Sequence, residues 1–242
     1  MRTILAIDLG KFKSVACRIT TDVSEVPAYV TLESTPEGVR RVFSKIKPDL
    51  VVIEACSLAG WIVDLCRQVN QEVIVAHPGG EAWSWKRVKR KTDRDDAFKL
   101  ARMARDGDID AAYIPMPEQR QYKQLVKYRK KLQGQLRRIT NSVRALLMSQ
   151  AIDCPKGKAA FSAKMFLVDL KRISKPLEEC SAQEMWKGML HSMISNLEAT
   201  RKLFSECEKQ LEKMGKEDQR IQRVQTIPGV GRPGAEAIVA HL

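Results

Sequence analysis

Four acidic side chains occupy positions where a carboxylate is costly or closely grouped. Asp8 ends one short apolar run, and Glu54 directly follows another. Both runs predict buried strands, and a carboxylate at the end of such a strand is unfavourable unless it is hydrogen-bonded, paired or bound to a cation. Asp93 and Asp96 are three residues apart at the start of a predicted helix, so they lie on one face of that helix.

Such a set of carboxylates is typical of a divalent metal site. Mg²⁺ prefers a few hard oxygen ligands and leaves room for water or phosphate, and Mn²⁺ is the alternative ion. Two ions about 4 Å apart polarise both the attacking and the leaving oxygen of a phosphodiester. Plainer roles also exist, because Asp93 alone is a good helix N-cap and Asp8 suits a turn before Gly10. Asp95 lies between the helical pair and points about 100° away from Asp96.

An α/β arrangement of elements must position these residues. Strands are predicted at 3–9, 14–20, 28–33, 49–55 and 72–77, and helices at 36–46 and 60–70. Three strands followed by helix, strand, helix and strand indicate a mixed sheet covered by helices. A further helix begins near Thr92 and Asp93 and runs to about Asp106, with Gly107 after its end.

Positive charge is concentrated in the middle of the chain. The net charge is +13, of which residues 81–152 carry +10, and no acidic residue lies between Gln119 and Ile152. A one-signed helix repels itself and favours an anionic partner, so we expect nucleic acid first and an anionic membrane surface second. The predicted nucleic-acid contacts are Lys86, Arg87, Lys89, Arg90 and Lys91, in a connector with Trp83 and Trp85, and Lys123, Lys127, Lys130, Lys131, Arg137, Arg138 and Arg144.

Two long helices are predicted in the second half. The first, 118–150, has a heptad-like seam, and the second, 181–214, has an apolar stripe, with an irregular segment at 151–180 between them. This pattern favours an antiparallel coiled-coil hairpin and self-association as a homodimer or higher oligomer. The seam residues are Leu125, Leu132, Leu136, Ile139, Val143 and Leu146, and the stripe residues are Met189, Met193, Leu197, Phe204, Leu211 and Met214.

A glycine-rich turn opens the last predicted helix, within 227–242. Gly229 and Gly231 permit close approach of the backbone, and amides at a helix start bind phosphate without reading sequence. The pattern is similar to half of a helix–hairpin–helix unit, and an ordinary turn before a core helix is the alternative.

Composition excludes several other classes of protein. No run of 18 apolar residues predicts a membrane span, and the N-terminus is not typical of a secretory signal. The six cysteines form no C-x-x-C pair and there are only three histidines, which argues against a structural zinc site and a disulfide scaffold. We therefore expect reduced thiols and a cytoplasmic protein without membrane contact.

The stretch AIDLGKFKS has a second interpretation. An Asp-x-Gly turn between two strands also begins actin-like and sugar-kinase ATPases, in which the turn holds nucleotide phosphate. A kinase needs a second Asp-Gly phosphate turn and a later glycine pair for adenosine, and neither is present. The strongly basic middle of the chain also does not suit a small-molecule kinase.

The motifs together resemble a known family. AIDLGKFKS, VVIEACSLAGWIVDL, VIVAHPGG, KTDRDDAFKLARM and QLVKYRKKLQGQLRRITNSVRALL resemble the DEDD transposases of insertion-sequence family 110, which are related to the pilin-gene invertase. TIPGVGRPGAEAIVA is similar to the start of the family's C-terminal domain. The resemblance implies a RuvC-like, ribonuclease-H-like domain at 1–114, a coiled-coil region at 115–222 and the start of a transposase domain at 223–242.

The family also implies the chemistry. Asp8, Glu54, Asp93 and Asp96 would bind Mg²⁺ as catalytic residues, and the partner would be double-stranded DNA, joined in several members by a structured guide RNA. The family's C-terminal domain supplies a serine that attacks DNA covalently. No serine follows Ser205 here, so we expect this chain to lack the serine-bearing region.

Three hypotheses follow for the function. The first is a DNA transposase or site-specific recombinase. The second is a metal-dependent endonuclease that resolves DNA junctions, and the third is a non-catalytic scaffold that binds nucleic acid.

Overall fold

The chain folds into two compact units. The computed structural model describes residues 1–79, 92–155, 161 and 164–241. The units are Met1–Pro117 and Glu118–Leu242. The first boundary predicted from the sequence lies at residue 114, close to this division.

A five-stranded mixed sheet forms the centre of the first unit. Its order is β3-β2-β1-β4-β5, with β1–β2 and β2–β3 antiparallel and β1–β4 and β4–β5 parallel. This order and these directions define the ribonuclease-H-like sheet, so the predicted fold class is confirmed. The strands are β1 (Thr3–Asp8), β2 (Lys13–Thr20), β3 (Ala28–Glu33), β4 (Leu50–Glu54) and β5 (Val73–Ala76).

Helices cover both faces of this sheet. They are α1 (Pro36–Ile46), α2 (Ala59–Gln68) and α3 (Asp93–Asp106). Residues of β1 alternate between two cores: Leu5 and Ile7 belong to the cluster that contains residues of α1 and α2, whereas Ile4 and Ala6 belong to the one that contains residues of α3. This period of two follows from the pleat of a strand buried on both sides, and it explains why the strands are almost continuously apolar.

Two antiparallel helices of 33 residues form the centre of the second unit. The start of α4 shares an apolar cluster with the end of α6, and the end of α4 shares another with the start of α6. This arrangement is the predicted hairpin. None of the helices within the described ranges is both long and apolar enough to cross a membrane. The helices are α4 (Pro117–Ser149), α5 (Lys164–Ile173), α6 (Met185–Glu217), α7 (Gln219–Gln225) and α8 (Arg232–Val239).

The predicted seams differ in detail from the buried faces. Val126 and Leu147 are buried on α4, whereas the predicted neighbours Leu125 and Leu146 are only partly buried. Both ends of α4 have two adjacent apolar residues, and the face that is buried depends on α5, α7 and α8, which the heptad pattern does not include. The prediction for Met189 was wrong, because this side chain is 45% exposed.

Gly188 allows a short 3-10 turn to pack directly against α6. A Cβ atom at this position would lie 2.8 Å from the Cα of Leu177, in a short 3-10 turn, so only glycine permits this close approach. Gly188 and Leu190 are both buried although they lie on nearly opposite sides of the helix, about 200° apart, and Met189, about 100° from each, stays at the surface.

Two other predictions for the second unit need correction. The segment predicted as irregular contains α5 and a 3-10 turn at Leu177–Glu179, and a second 3-10 turn at Ala182–Glu184 precedes α6, which begins at Met185 rather than at Ser181. The glycine-rich turn also has a helix on each side, because α7 precedes it and packs against α8. The second unit therefore contains both helices of a helix–hairpin–helix-like pair, where the sequence predicted one.

A buried ionic cluster joins α8 to the two long helices. The Arg129 guanidinium of α4 forms an ion pair with Glu236 of α8, whose side chain is fully buried, and donates to the carbonyl oxygen of Pro233 at 3.1 Å. Glu208 of α6 lies 3.3 Å from Arg129 and 2.9 Å from Arg232. Arg232 also lies 3.4 Å from Glu236, so each carboxylate contacts two guanidinium groups, which offsets the cost of burial.

Removal of Arg129 should strongly destabilise the second unit. We expect Arg129→Met to lower the free energy of unfolding by about 3 kcal/mol, because the Glu236 carboxylate would stay buried with only Arg232 beside it. Adding Glu236→Gln should restore part of this loss. Urea unfolding followed through the helical signal measures both changes, with the exposed Lys130→Met as control. A loss below about 1 kcal/mol would contradict the assigned role of the pair.

Candidate active site and nucleic-acid interface

The parallel pairing of β1 with β4 brings two predicted carboxylates side by side. Ile7 is in register with Ile53, so Asp8 and Glu54 occupy the next positions at the carboxyl ends of neighbouring strands. Adjacent strands are about 4.8 Å apart. Because Ala6 and Val52 face the α3 cluster, the period of two places Asp8 and Glu54 on that same face.

The turn after Asp8 has a fixed backbone. A Cβ atom at Gly10 would lie 2.1 Å from the carbonyl oxygen of Lys13, so this position requires glycine. The Ser34 hydroxyl donates to the carbonyl oxygen of Gly10 at 2.6 Å, and its Oγ also lies 2.8 Å from the Oγ of Ser14. The end of β1 is therefore held by the neighbouring strand and by the residue after β3.

The first turn of α3 separates the roles of its three aspartates. Thr92 is the N-cap and forms a capping box with Asp95: the Asp95 amide donates to Oγ1 of Thr92 at 3.3 Å, and the Thr92 amide donates to Asp95 Oδ2 at 3.0 Å. The Thr92 hydroxyl also donates to Asp95 Oδ2 at 2.7 Å, and this bond together with the one from the Thr92 amide holds the pKa of Asp95 below its ordinary value. Asp93 is the first helical residue, so its alternative role as N-cap is excluded.

Asp93 and Asp96 are placed differently with respect to solvent. Asp93 is exposed, whereas Asp96 is partly buried and its Oδ1 atom is shielded from solvent. Ala97, the next residue, packs into the core cluster on the α3 face of the sheet. The Arg94 guanidinium lies 5.5 Å from the centre of the Tyr29 ring on β3, which anchors the first turn of α3 over the sheet.

The four carboxylates are seen as two pairs rather than as one cluster. Asp8 and Glu54 form the strand pair, and Asp93 and Asp96 the helix pair. Within the part of the chain that the structure describes, no three Asp, Glu, His or Cys side chains are arranged to hold a metal ion. These residues nevertheless suit a hard divalent cation, because all of their donor atoms are carboxylate oxygens. One of these oxygens, Oδ1 of Asp96, is buried. Binding by all four requires their side chains to turn toward a common point.

One side of α4 is positively charged. The helical period places the basic residues away from the buried face of the helix. Among the described residues, none of these six side chains forms an ion pair with a carboxylate. We call these six residues the α4 basic face: they are Lys123, Lys127, Lys130, Lys131, Arg137 and Arg138.

Helix α6 shows the opposite pattern. Lys216 lies 3.3 Å from Glu212, and Lys187 lies 2.8 Å from Glu184, which keeps the charges of this helix largely balanced. The contrast indicates that the charge on α4 is available to an external anion.

Three other groups of predicted nucleic-acid contacts lie in surroundings that differ from those of the α4 basic face. Arg144 is partly committed within the protein, because its guanidinium lies 4.9 Å from the centre of the Phe161 ring. Gly229 has a left-handed backbone with φ of 82°, and Gly231 is the N-cap of α8; both are exposed. Lys86, Arg87, Lys89, Arg90 and Lys91, with Trp83 and Trp85, lie outside the described residues.

The sequence analysis did not single out the exposed residues of the β1–β2 turn. Lys11, Phe12 and Lys13 all lie at the surface directly after the Asp8 edge, and Phe12 is 75% exposed. An exposed aromatic ring between two lysines is a signal for nucleic-acid contact, and it was visible in the motif GKFK.

The family model for the DEDD transposases of insertion sequence IS110, described as "Transposase", matches residues 5–151. The chain belongs to this family. The matched residues include all four predicted carboxylates and the whole of α4.

Curated relatives carry the same description. The chain is 25% identical over 202 residues to y4qE of Sinorhizobium fredii, described as a transposase, covering 78% of this chain and 50% of that protein. It is 27% identical over 152 residues to the transposase for insertion sequence element IS1111A of Coxiella burnetii, covering 63% of this chain and 40% of that protein. The chain thus spans about half the length of these relatives or less.

Solved structures of two resolvases are also similar. Fowlpox virus resolvase, solved with Holliday junction DNA, is 17% identical with a TM-score of 0.33 and covers 43% of this chain and 97% of its own. Thermus thermophilus RuvC is 14% identical with a TM-score of 0.31, covering 46% and 99%.

The contribution of the capping box at Thr92 should be measurable in the free energy of unfolding and in the pKa of Asp95. We expect Thr92→Ala to lower the free energy of unfolding by about 1 kcal/mol, because an N-cap hydroxyl is lost. The pKa of Asp95 should rise toward its ordinary value, as followed by NMR titration. Since the wild-type pKa is lowered, the cap contributes fully above the ordinary aspartate pKa and is lost as pH falls through the lowered one.

Thr92→Ser keeps the hydroxyl and is the matched control for this change. It should retain both the stability and the low pKa of Asp95. An unchanged Asp95 titration in Thr92→Ala would contradict the capping box.

Proposed function

We propose that this protein is a DNA transposase whose first unit cleaves or exchanges DNA strands at Asp8, Glu54, Asp93 and Asp96. The observation that carries this proposal is the strand register, which sets Asp8 beside Glu54 on the face covered by α3. Asp93 and Asp96 lie in the first turn of that same helix. Family membership supports the reaction class.

The four carboxylates would hold Mg²⁺, with Mn²⁺ as the alternative ion. When bound, the ion polarises the phosphodiester and stabilises charge on the attacking and leaving oxygens. Asp8 and Glu54 provide oxygens from a rigid sheet edge, and the partly buried Asp96 provides one from a capped helix. The Thr92–Asp95 capping box positions the helix pair without taking part in the reaction.

The α4 basic face would hold the phosphate backbone of double-stranded DNA. Its side chains lack acidic partners among the described residues, so phosphate binding costs no ion pair of the protein. The turn at Gly229 and Gly231 would add backbone amides at the start of α8, a contact that reads no sequence. Lys11 and Lys13 would hold the strand beside the Asp8 edge. Nucleic-acid contact by the basic connector, binding of a guide RNA and self-association of the chain stay predictions.

Strand cleavage should depend on the carboxylates and on Mg²⁺. We expect the chain to nick branched DNA in the presence of Mg²⁺, and Asp8→Asn and Asp96→Asn to reduce the rate by at least about 100-fold, because charge stabilisation at the phosphodiester is lost. Gel analysis of end-labelled four-way junctions measures the rate. Asp106→Asn, at the far end of α3, is the control and should cleave normally.

The other hypotheses are distinguished by the product and by binding. Free phosphate ends released from junctions by symmetric cuts would favour a junction-resolving endonuclease. DNA binding without cleavage, unchanged in Asp8→Asn, would favour the scaffold and would contradict the proposed active site.

The salt dependence of DNA binding should report the α4 basic face. We expect the combined variant Lys123→Gln, Lys130→Gln, Arg137→Gln and Arg138→Gln to reduce the slope of log affinity against log salt by about one unit for each lost phosphate contact. Fluorescence anisotropy with a labelled duplex measures the slope. Lys216→Gln removes a lysine that is paired with Glu212 and should leave the slope unchanged.

A further inference from the structure

A groove of about 690 Å³ lies where one flank of α4 meets α6. It combines a tyrosine, two apolar side chains, amide side chains from both helices and two lysines. We call it the Tyr128 groove, and its main lining residues are Gln124, Leu125, Lys127, Tyr128, Gln210 and Met214.

Tyr128 is the unusual member of this groove. It is 40% exposed, so part of its aromatic ring is accessible to a ligand. Leu125 and Met214 beside it are only partly buried, so the groove offers apolar surface next to an accessible aromatic ring.

The polar groups of the groove are of a distinct kind. Gln124 and Gln210 carry amides that both donate and accept hydrogen bonds, as the edges of nucleobases do. Lys127 and Lys131 belong to the α4 basic face, and no acidic residue lines the groove. Phosphate contacts to a duplex require the lysines alone and leave the aromatic ring and the amides without a function.

We propose that the Tyr128 groove binds an unpaired nucleotide of a nucleic-acid strand held on the α4 basic face. The base would stack on Tyr128 and hydrogen-bond to Gln124 or Gln210, while Lys127 and Lys131 contact the flanking phosphates. A base within a duplex is already stacked on its neighbours, so the groove favours a single strand, a flap or a loop. The inference rests on the proposed binding of nucleic acid by α4, and it adds a preference for unpaired bases.

Charge favours this occupant over a protein segment. An apolar helix docked in the groove would leave two lysines and several amides at its edge without partners. A polynucleotide strand satisfies both the cationic rim and the aromatic surface.

The test compares single strands with a duplex, using the whole chain. Anisotropy with labelled oligo(dT), oligo(U) and a duplex gives three affinities, for wild type, Tyr128→Leu and Tyr128→Phe. We expect Tyr128→Leu to weaken single-strand binding about 5- to 100-fold, because stacking is lost, and to leave the duplex affinity unchanged. Tyr128→Phe keeps the ring and should bind as wild type does. Tyr113→Leu, at an exposed tyrosine outside the groove, is the control.

Photocrosslinking provides a measurement that needs no variant. An oligonucleotide with one 5-iodouracil should crosslink to Tyr128 in the wild-type chain, as located by mass spectrometry. The arm with the higher affinity, oligo(dT) or oligo(U), identifies DNA or RNA as the source of the nucleotide.

Several results would overturn the inference. Equal single-strand affinity of Tyr128→Leu and wild type, or crosslinks that avoid Tyr128, would show that no base occupies the groove. A change in oligomeric state of Tyr128→Leu without a change in binding would assign the groove to a second copy of the chain. Normal duplex binding in these cases would leave the proposed function intact, whereas a wild-type chain that binds no nucleic acid would refute both.

Discussion

The parallel pairing of β1 with β4 is the constraint on which the candidate active site depends. Asp8 and Glu54 are neighbours only because Ile7 is level with Ile53. A slip of one residue would move every side chain of the strand to the other face of the sheet. Apolar residues are buried on both faces, with Leu5 in one core and Ala6 in the other, so the packing of α1, α2 and α3 fixes this register.

Charge divides the second unit into two different helices. The six side chains of the α4 basic face have no carboxylate partners among the described residues, whereas α6 balances Lys216 with Glu212 and Lys187 with Glu184. The folded state of α4 therefore carries self-repulsion that a bound polyanion would relieve. Tyr128 lies beside Lys127 and Lys131 of the α4 basic face. A nucleic-acid strand held there would contact the lysines through its phosphates and Tyr128 through a base.

The buried ionic cluster links α8 to α4 and α6 within the second unit. Arg129 extends from the same helix as the basic face, but it turns inward to Glu236 and to the carbonyl oxygen of Pro233. Burial, together with the Glu236 carboxylate, raises the pKa of the neighbouring Tyr122 to about 12. Displacing α8 would separate these charges, so the glycine-rich turn before it is held in place relative to α4 and α6.

Local pattern determined the five strands and the two long helices, because each depends on residues a few positions apart, whereas the N-cap of α3 is Thr92 rather than the Asp93 that the sequence suggested. The sequence also identified the carboxylates and the basic block by residue type. Only the tertiary structure showed that Arg129 is buried while its basic neighbours are free for an external anion, since that depends on Glu236, 107 residues away. The close approach at Gly188 and the pairing of α7 with α8 were equally beyond local pattern, because both depend on which surfaces meet after the chain folds.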